Sequence, residues 1–327
     1  NNVHLKVIAM KSMYPPLQKE VDYRPNDTII AVPAKSGTTW TMNIFHQLRE
    51  KGDPDFLDIY AEVPWVEFKE RPDQPNEELL ERWRKIPTSV RRGFKTHAAP
   101  GMDPSDCAVY REDMKYVVVV RNPEEALVSF RLFMQNHHPE FWKLFDCEEM
   151  RTEFVHPTFE SYYHNFVFKG FPGMPPDAVP PGGLLTMLFF GFVNKWWPLR
   201  HKANVLFLHF SEMKQDHEGS VRKIANFLDL HPTYTEEEWS NILEYTSFPW
   251  MKQHQEKFEM GTLLRDVNGV PFPLFQTGAM VRKGKVGAAA EDGMTPKISV
   301  DIHAWAEKMM PDAAAREWMF HGGPIDS

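Results

Sequence analysis

Short segments rich in apolar and β-branched residues alternate with segments in which apolar residues recur at helical spacing. The first kind is the pattern of buried strands, and it predicts strands over Thr28–Val32, Val90–Thr96, Tyr116–Val120 and Val205–Phe210. The second kind, with its capping residues, predicts helices over 40–48, 76–86, 123–134, 184–200, 219–228, 235–245 and 300–310. This alternation predicts an α/β fold with a central, mainly parallel sheet flanked by helices.

The composition narrows the classes of partner and compartment. The 37 Lys and Arg residues are outnumbered by 45 Asp and Glu residues, which argues against a nucleic-acid partner. Two cysteines support neither a disulfide framework nor a cysteine-based zinc site, so a cytoplasmic location is expected. The longest apolar stretch, Leu184–Val193, is too short to span a bilayer, and no membrane partner is predicted. Asn1–Met13 lacks the order of a signal peptide, although a removed leader stays possible.

The first predicted strand and helix are joined by a loop of small residues that carries one lysine. It reads P-A-K-S-G-T-T-W, and Gly37 allows a close approach of the backbone. A strand, a tight loop and a helix N-terminus in this order point several N–H groups at one place, which is typical of a phosphate site. The spacing is not that of a Walker A motif. An ordinary strand–helix turn without a ligand is the alternative.

Read as a whole, the segment resembles the 5′-phosphosulfate loop of the cytosolic sulfotransferases, P-K-S-G-T-T-W, with Ala34 inserted before Lys35. Further matches follow in the family's order along the chain. They are Lys95-Thr96-His97, Arg121-Asn122-Pro123 with Ser129, Thr246-Ser247-Phe248, and Arg282-Lys283-Gly284 with Gly287. Each is weak alone, and the ordered set is specific. It predicts one sulfotransferase domain over residues 1–327, with a motif-bearing core at 28–290 and a P-loop-like phosphate-binding loop.

The resemblance implies transfer of a sulfuryl group from 3′-phosphoadenosine 5′-phosphosulfate (PAPS) to a hydroxyl or amine, with 3′-phosphoadenosine 5′-phosphate (PAP) as product. It implies that His97 is the base and that Lys35 and Lys95 stabilise charge on the transferring group. The residues expected to bind the nucleotide are Lys35, Ser36, Gly37, Thr38, Thr39, Trp40, Arg121, Ser129, Thr246, Phe248, Arg282, Lys283 and Gly284. No metal is expected.

The acceptor is expected to be a small, largely apolar phenol, alcohol or steroid-like compound, because aromatic residues are dense in Phe56–Phe68, Phe141–Phe171 and Phe272–Phe275. The segment 136–183 of this chain falls where the sulfotransferase family builds its acceptor pocket. We expect it to be a loop or lid of the acceptor site. Its His137 and His138 are expected to be solvated.

Several alternatives stay open on the sequence alone. They are an ATP-dependent P-loop-like small-molecule kinase and a catalytically silent nucleotide-binding protein. The choice between a monomer and a homodimer is left undecided. Sulfation could be the final step or could lead to elimination.

Overall fold

Four parallel strands form the sheet around which the rest of the chain folds. A computed structural model describes residues 17–101, 110–230, 233–276 and 278–325. The strands are β1 (Thr28–Ala31), β2 (Gly93–Thr96), β3 (Lys115–Val120) and β4 (Val205–His209), in the spatial order β2-β1-β3-β4. This arrangement confirms the predicted α/β fold with a central parallel sheet.

Helices cover both faces of the sheet, as expected for strands that are apolar on both sides. All side chains of β1 and β2 are buried, as are those of Tyr116–Val120 in β3. The helices are α1 (Thr38–Arg49), α2 (Ile59–Glu62), α3 (Asn76–Arg84), α4 (Pro123–Gln135), α5 (Pro139–Leu144), α6 (Glu148–Phe154), α7 (Phe159–Asn165), α8 (Gly191–Trp196), α9 (Phe210–Gln215), α10 (His217–Phe227), α11 (Glu236–Tyr245), α12 (Phe248–Gln253), α13 (Pro296–Met309) and α14 (Ala313–His321).

The local capping signals explain where several helices begin. The Asn122 side chain accepts a hydrogen bond from the backbone N–H of Glu124 at 2.8 Å, with Pro123 at the first helical position of α4. Thr235 and Glu238 form the predicted capping box of α11. At α3 the prediction was wrong by one residue, because Pro75 occupies the cap position and Asn76 is already helical.

The main departure from the sequence-based prediction lies in the segment 136–183. The predicted loop is wrong for most of 139–165, because α5, α6 and α7 form there and bury aromatic side chains such as Phe141, Trp142 and Phe154. Gly170–Gly183 is irregular apart from a single 3₁₀ turn, as predicted. The segment is therefore mainly a helical wall, and only its last part is a loop.

Other differences are smaller. The predicted helix over 184–200 contains a π-helical turn at Thr186–Phe190 before α8 and a 3₁₀ turn after it. The C-terminal helix α14 was not predicted. Cys107 and Asn1–Met13 lie outside the described residues. Within the described ranges, no helix combines the length and the apolar character that a bilayer crossing needs.

Candidate active site

The predicted phosphate loop, His97 and Arg121 come together at one edge of the sheet. They follow the carboxyl ends of β1, β2 and β3, and in a parallel sheet these ends share an edge. β1 has β2 on one side and β3 on the other, and ligands of α/β proteins bind at such a point of reversal in strand order. A cavity of about 500 Å³ opens there, and Lys35, His97 and Arg121 all line it.

The loop after β1 brings backbone N–H groups to this cavity. Lys35 and Gly37 adopt left-handed conformations, with φ of 62° and 100°, and α1 begins directly afterwards without a side-chain cap. A Cβ at Gly37 would lie 2.8 Å from a ring carbon of Phe210, so glycine is needed for both conformation and space. An uncapped helix N-terminus behind a tight turn is a site for an anion.

The surroundings of Lys35 indicate that this part of the cavity favours a negatively charged ligand. Its Nζ lies 4.2 Å from the centroid of the Phe133 ring and 3.8 Å from the sulfur of Met280. Burial, together with the positive charges of Arg121 and Arg282, lowers the pKa of Lys35 to about 7. A phosphate or sulfuryl group would supply the missing counter-charge, so the site fits the nucleotide implied by the sequence.

Arg121 is held in place from several directions. Its guanidinium pairs with Glu125, at 2.8 Å and 2.9 Å, and donates to the carbonyl oxygen of Lys35 at 3.2 Å. Glu125 also accepts a hydrogen bond from the backbone N–H of Gly287, which ties α4 to the C-terminal basic loop. Sequence reasoning missed Glu125, although its position four residues after Arg121 in α4 is the spacing of a helical ion pair.

The C-terminal basic loop reaches the cavity, and its basic side chains pair with nearby carboxylates. Arg282 pairs with Asp292 at 2.7 Å, and Lys283 contacts Asp292 at 2.8 Å and Glu291 at 3.4 Å. All of these except Glu291 line the cavity, together with Gly284. Carboxylates of the same loop thus pair with both Arg282 and Lys283, and the binding of a phosphate by these two residues stays a prediction.

The predicted adenine side is formed by Trp40 and Phe248. The Trp40 indole N–H donates to the carbonyl oxygen of Thr246 at 2.8 Å, which joins α1 to the start of α12. Lys214 lies 5.5 Å from the Trp40 ring and 5.2 Å from the Phe248 ring, and all three line the cavity. Lys214 is not among the residues predicted from the sequence, and its position beside both rings is visible only in the structure.

Two predicted nucleotide residues do not line the cavity. The hydroxyl of Thr246 donates to the carbonyl oxygen of Ile242 at 2.7 Å and lies 2.9 Å from Nε2 of His217. Ser36 is fully buried within the loop. Thr38, Thr39 and Ser129 line the cavity. Ser36 and Thr246 thus hold the loop and helix ends in place and reach the cavity only through their neighbours.

His97 is arranged as a neutral proton acceptor. Its Nδ1 lies 2.6 Å from the carbonyl oxygen of Val32, and because a carbonyl can only accept, Nδ1 carries the proton. Nε2 therefore keeps its lone pair. Burial holds the pKa of His97 well below its usual value, and the charge of Lys95 adds to this. Burial is the larger of these two causes.

Lys95 lies within an aromatic and acidic environment. Its Nζ is 3.1 Å from the centroid of the Trp65 ring, and burial lowers its pKa well below the usual value despite the attraction of Glu67. Glu67 accepts a hydrogen bond from the Thr96 hydroxyl, and burial raises its pKa to about 7. Glu67 was missed from the sequence, although it is the one carboxylate within the W-V-E-F stretch.

Aromatic side chains line much of the rest of the cavity. The rings of Trp65 and Phe68 stack at 5.0 Å, and Phe68 stacks on Phe141 at 6.5 Å. Further aromatic residues on this wall are Tyr60, Phe130, Phe133, His137, Trp142, Phe154, Phe171 and Phe275. Each of the three predicted aromatic segments contributes to the wall, although Phe56 and Phe272 do not. In the described part of the chain, no group of three or more potential His, Cys, Asp or Glu ligands is placed to hold a metal ion.

Comparisons with known proteins agree with this geometry. The sequence model described as "Sulfotransferase domain" matches residues 25–314. Rat Sulfotransferase 1A1 is 28% identical over 297 residues, which cover 87% of this chain and 86% of the relative. Human Sulfotransferase 1E1 is 27% identical over 237 residues, 71% of this chain and 68% of the relative.

Solved structures share the fold at lower sequence identity. Mouse sulfotransferase SULT7A1, complexed with PAP, superposes with a TM-score of 0.60 at 22% identity over 93% of this chain and 90% of its own. Retinol dehydratase, in complex with androsterone and PAP, gives a TM-score of 0.57 at 17% identity over 91% and 86%. The kinase alternative is not favoured by these matches. The family match covers most of the chain, and the protein belongs to the sulfotransferase family.

Proposed function

We propose that this protein transfers a sulfuryl group from PAPS to the hydroxyl of a small, largely apolar phenol, alcohol or steroid-like acceptor. The observation that carries the proposal is one cavity with two unlike ends. At one end, Lys35 and Arg121 surround an uncapped helix N-terminus. At the other, a neutral His97 is followed by a wall of aromatic rings.

The nucleotide would be held by groups at the first end. The backbone N–H groups of the loop 35–39 and the side chain of Lys35 suit the 5′-phosphosulfate. Arg121, directly after β3, and Ser129 in α4 suit the 3′-phosphate, and Trp40 offers a flat face to the adenine. The loop 282–284 would also bind a phosphate of the nucleotide after its ion pairs with Asp292 and Glu291 break. The free-energy cost of breaking these pairs can be offset by new charge-assisted hydrogen bonds to a doubly charged phosphate.

At the other end, His97 would accept the proton of the acceptor hydroxyl at Nε2 as the oxygen attacks sulfur. The imidazolium then keeps its Nδ1–H bond to the carbonyl of Val32, so the ring does not have to turn during the step. Lys35 and Lys95 would stabilise the negative charge that develops on the transferring group and on the leaving phosphate. When bound, the nucleotide supplies the activated sulfuryl group itself.

The aromatic wall supports the proposed class of acceptor. Stacked rings at 5.0–6.5 Å line the space next to His97, and such surfaces bind flat apolar molecules. The relatives are sulfotransferases, and one structural neighbour was solved in complex with androsterone and PAP. A cytoplasmic location, and one domain over residues 1–327, belong to the same proposal.

The test is a comparison of turnover with nucleotide affinity in a His97→Ala variant. Loss of a general base should lower kcat by roughly 10²- to 10⁴-fold with a phenol or alcohol acceptor and PAPS, while the Kd for PAP stays within about threefold. His138→Asn is the matched control, because His138 caps α5 outside the cavity and asparagine can also cap. Unchanged turnover in His97→Ala, or no sulfate transfer by the wild type to a broad acceptor panel, contradicts the proposal.

A further inference from the structure

His137 lies within the aromatic wall of the cavity, contrary to the solvated position expected from the sequence. Only 5% of the residue is exposed. Aromatic rings surround the imidazole on several sides, with centroid distances of 4.8 Å to Phe133, 5.1 Å to Phe141, 5.3 Å to Trp142 and 4.8 Å to Phe275. A polar ring in such a place needs hydrogen-bond partners, since an unsatisfied buried polar atom is costly.

One nitrogen of His137 has its partner within the protein. Nδ1 lies 3.1 Å from the carbonyl oxygen of Phe133, one turn earlier in α4, and the backbone of Met134 in the same turn is a second hydrogen-bond partner of the ring. The carbonyl can only accept, so Nδ1 carries the proton and Nε2 is left with a lone pair. Burial lowers the pKa of His137 to about 3, which keeps the ring neutral and Nε2 an acceptor.

His137 is separated from His97 by a continuous series of rings along the same wall. His97 contacts Trp65 at 5.1 Å, Trp65 stacks on Phe68 at 5.0 Å, Phe68 on Phe141 at 6.5 Å, and Phe141 contacts His137 at 5.1 Å. The unprotonated Nε2 atoms of His97 and His137 are thus placed on one apolar surface, several ring widths apart along the wall. A flat molecule lying on these rings would present one polar group to each imidazole.

We propose that His137 is a specificity-determining residue of the acceptor site, whose Nε2 accepts a hydrogen bond from a second hydroxyl or amine of the acceptor. The preferred acceptor is then a flat apolar compound with two donor groups, one sulfated at His97 and one bound at His137. A ketone at the second position is disfavoured, because its oxygen and Nε2 are both acceptors. The inference rests on the proposed function and names its substrate class more narrowly.

The test uses three steroids that differ at one position: estradiol, its ketone estrone, and the analogue without an oxygen on the D ring. Two quantities are measured for each, kcat/KM for formation of the phenolic sulfate and the Kd for the protein saturated with PAP. One buried hydrogen bond corresponds to a factor of roughly ten. Estradiol is therefore expected to bind and react about tenfold better than the other two.

Three variants distinguish a hydrogen bond from a shape effect. His137→Phe keeps an aromatic ring and should remove the preference for estradiol. His137→Gln supplies both a donor and an acceptor, so estradiol and estrone should become equivalent while both exceed the deoxy analogue. His138→Asn, which lies outside the cavity lining, should keep the wild-type order.

Three results overturn the inference. The wild type binds the three steroids equally, or the preference for estradiol survives in His137→Phe, or the PAP complex binds none of the three steroids. A preference in binding without any sulfate transfer keeps the inference about His137 and refutes the proposed reaction. The two proposals therefore fail by different measurements.

Discussion

The titration of Lys35 makes nucleotide binding depend on pH. Burial and the charges of Arg121 and Arg282 lower the pKa of Lys35 to about 7 in the free protein. A bound phosphate restores a counter-charge and raises this pKa again, so the nucleotide binds the protonated lysine. Affinity is then fully present below pH 7 and falls as the pH rises through 7, and binding takes up a proton in that range.

The size of the effect follows from the titration curve. With a pKa of about 7, roughly half of the Lys35 side chains are protonated at pH 7 and about 1% at pH 9. The Kd for PAP should therefore increase by about fiftyfold between pH 7 and pH 9. The phosphates themselves contribute little, because their second pKa is near 6 and they are largely ionised throughout this range.

The assay is isothermal titration calorimetry with PAP at several pH values, in buffers of different ionisation enthalpy. We expect uptake of about half a proton at pH 7 and nearly one at pH 8. Lys35→Met is the variant for comparison, because it keeps a long unbranched side chain at the same left-handed backbone position. Lys95 also has a lowered pKa, so only the part of the pH dependence that disappears in Lys35→Met belongs to Lys35.

A Kd that stays constant from pH 7 to pH 9 in the wild type refutes the reasoning. Parallel curves for the wild type and Lys35→Met refute it as well, because the dependence would then come from another group.

Two further predictions concern the nucleotide site and the stability of the sheet. Gly284→Ala should weaken PAP binding by roughly tenfold, because the new Cβ would lie 2.3 Å from the Phe248 ring. The control is Gly269→Ala, which is also at positive φ but in open space and should leave the Kd for PAP unchanged. Equal Kd values for the two variants in calorimetry contradict this prediction. Arg92→Met leaves Asp27 buried without its partner, 3.0 Å away, and should lower the free energy of unfolding by about 3–5 kcal/mol in urea titration. The double variant with Asp27→Leu should recover most of the lost free energy of unfolding, because no unpaired buried charge remains. If the double variant is no more stable than Arg92→Met, the loss comes from packing and not from the buried charge.

The sequence was sufficient to predict the elements whose signals are local. A continuous β-branched run such as Tyr116–Val120 can only be satisfied where both faces are buried, and the structure places it in the centre of the sheet. Asn122 followed by Pro123 fixes the start of α4 through a hydrogen bond two residues away. The small-residue loop with Lys35 likewise encodes its own turn, because Gly37 adopts a conformation that few residues can.

Only the tertiary structure decided which groups surround each side chain. The ring of His137 is enclosed partly by Phe275, far away along the chain, so no local pattern could reveal that it is buried. Arg282 pairs with Asp292, which folds back onto the same loop, and Thr246 turns its hydroxyl away from the cavity. Local sequence determines backbone hydrogen bonding, whereas burial and charge pairing depend on contacts between distant segments, and these set the pKa values and the shape of the acceptor site.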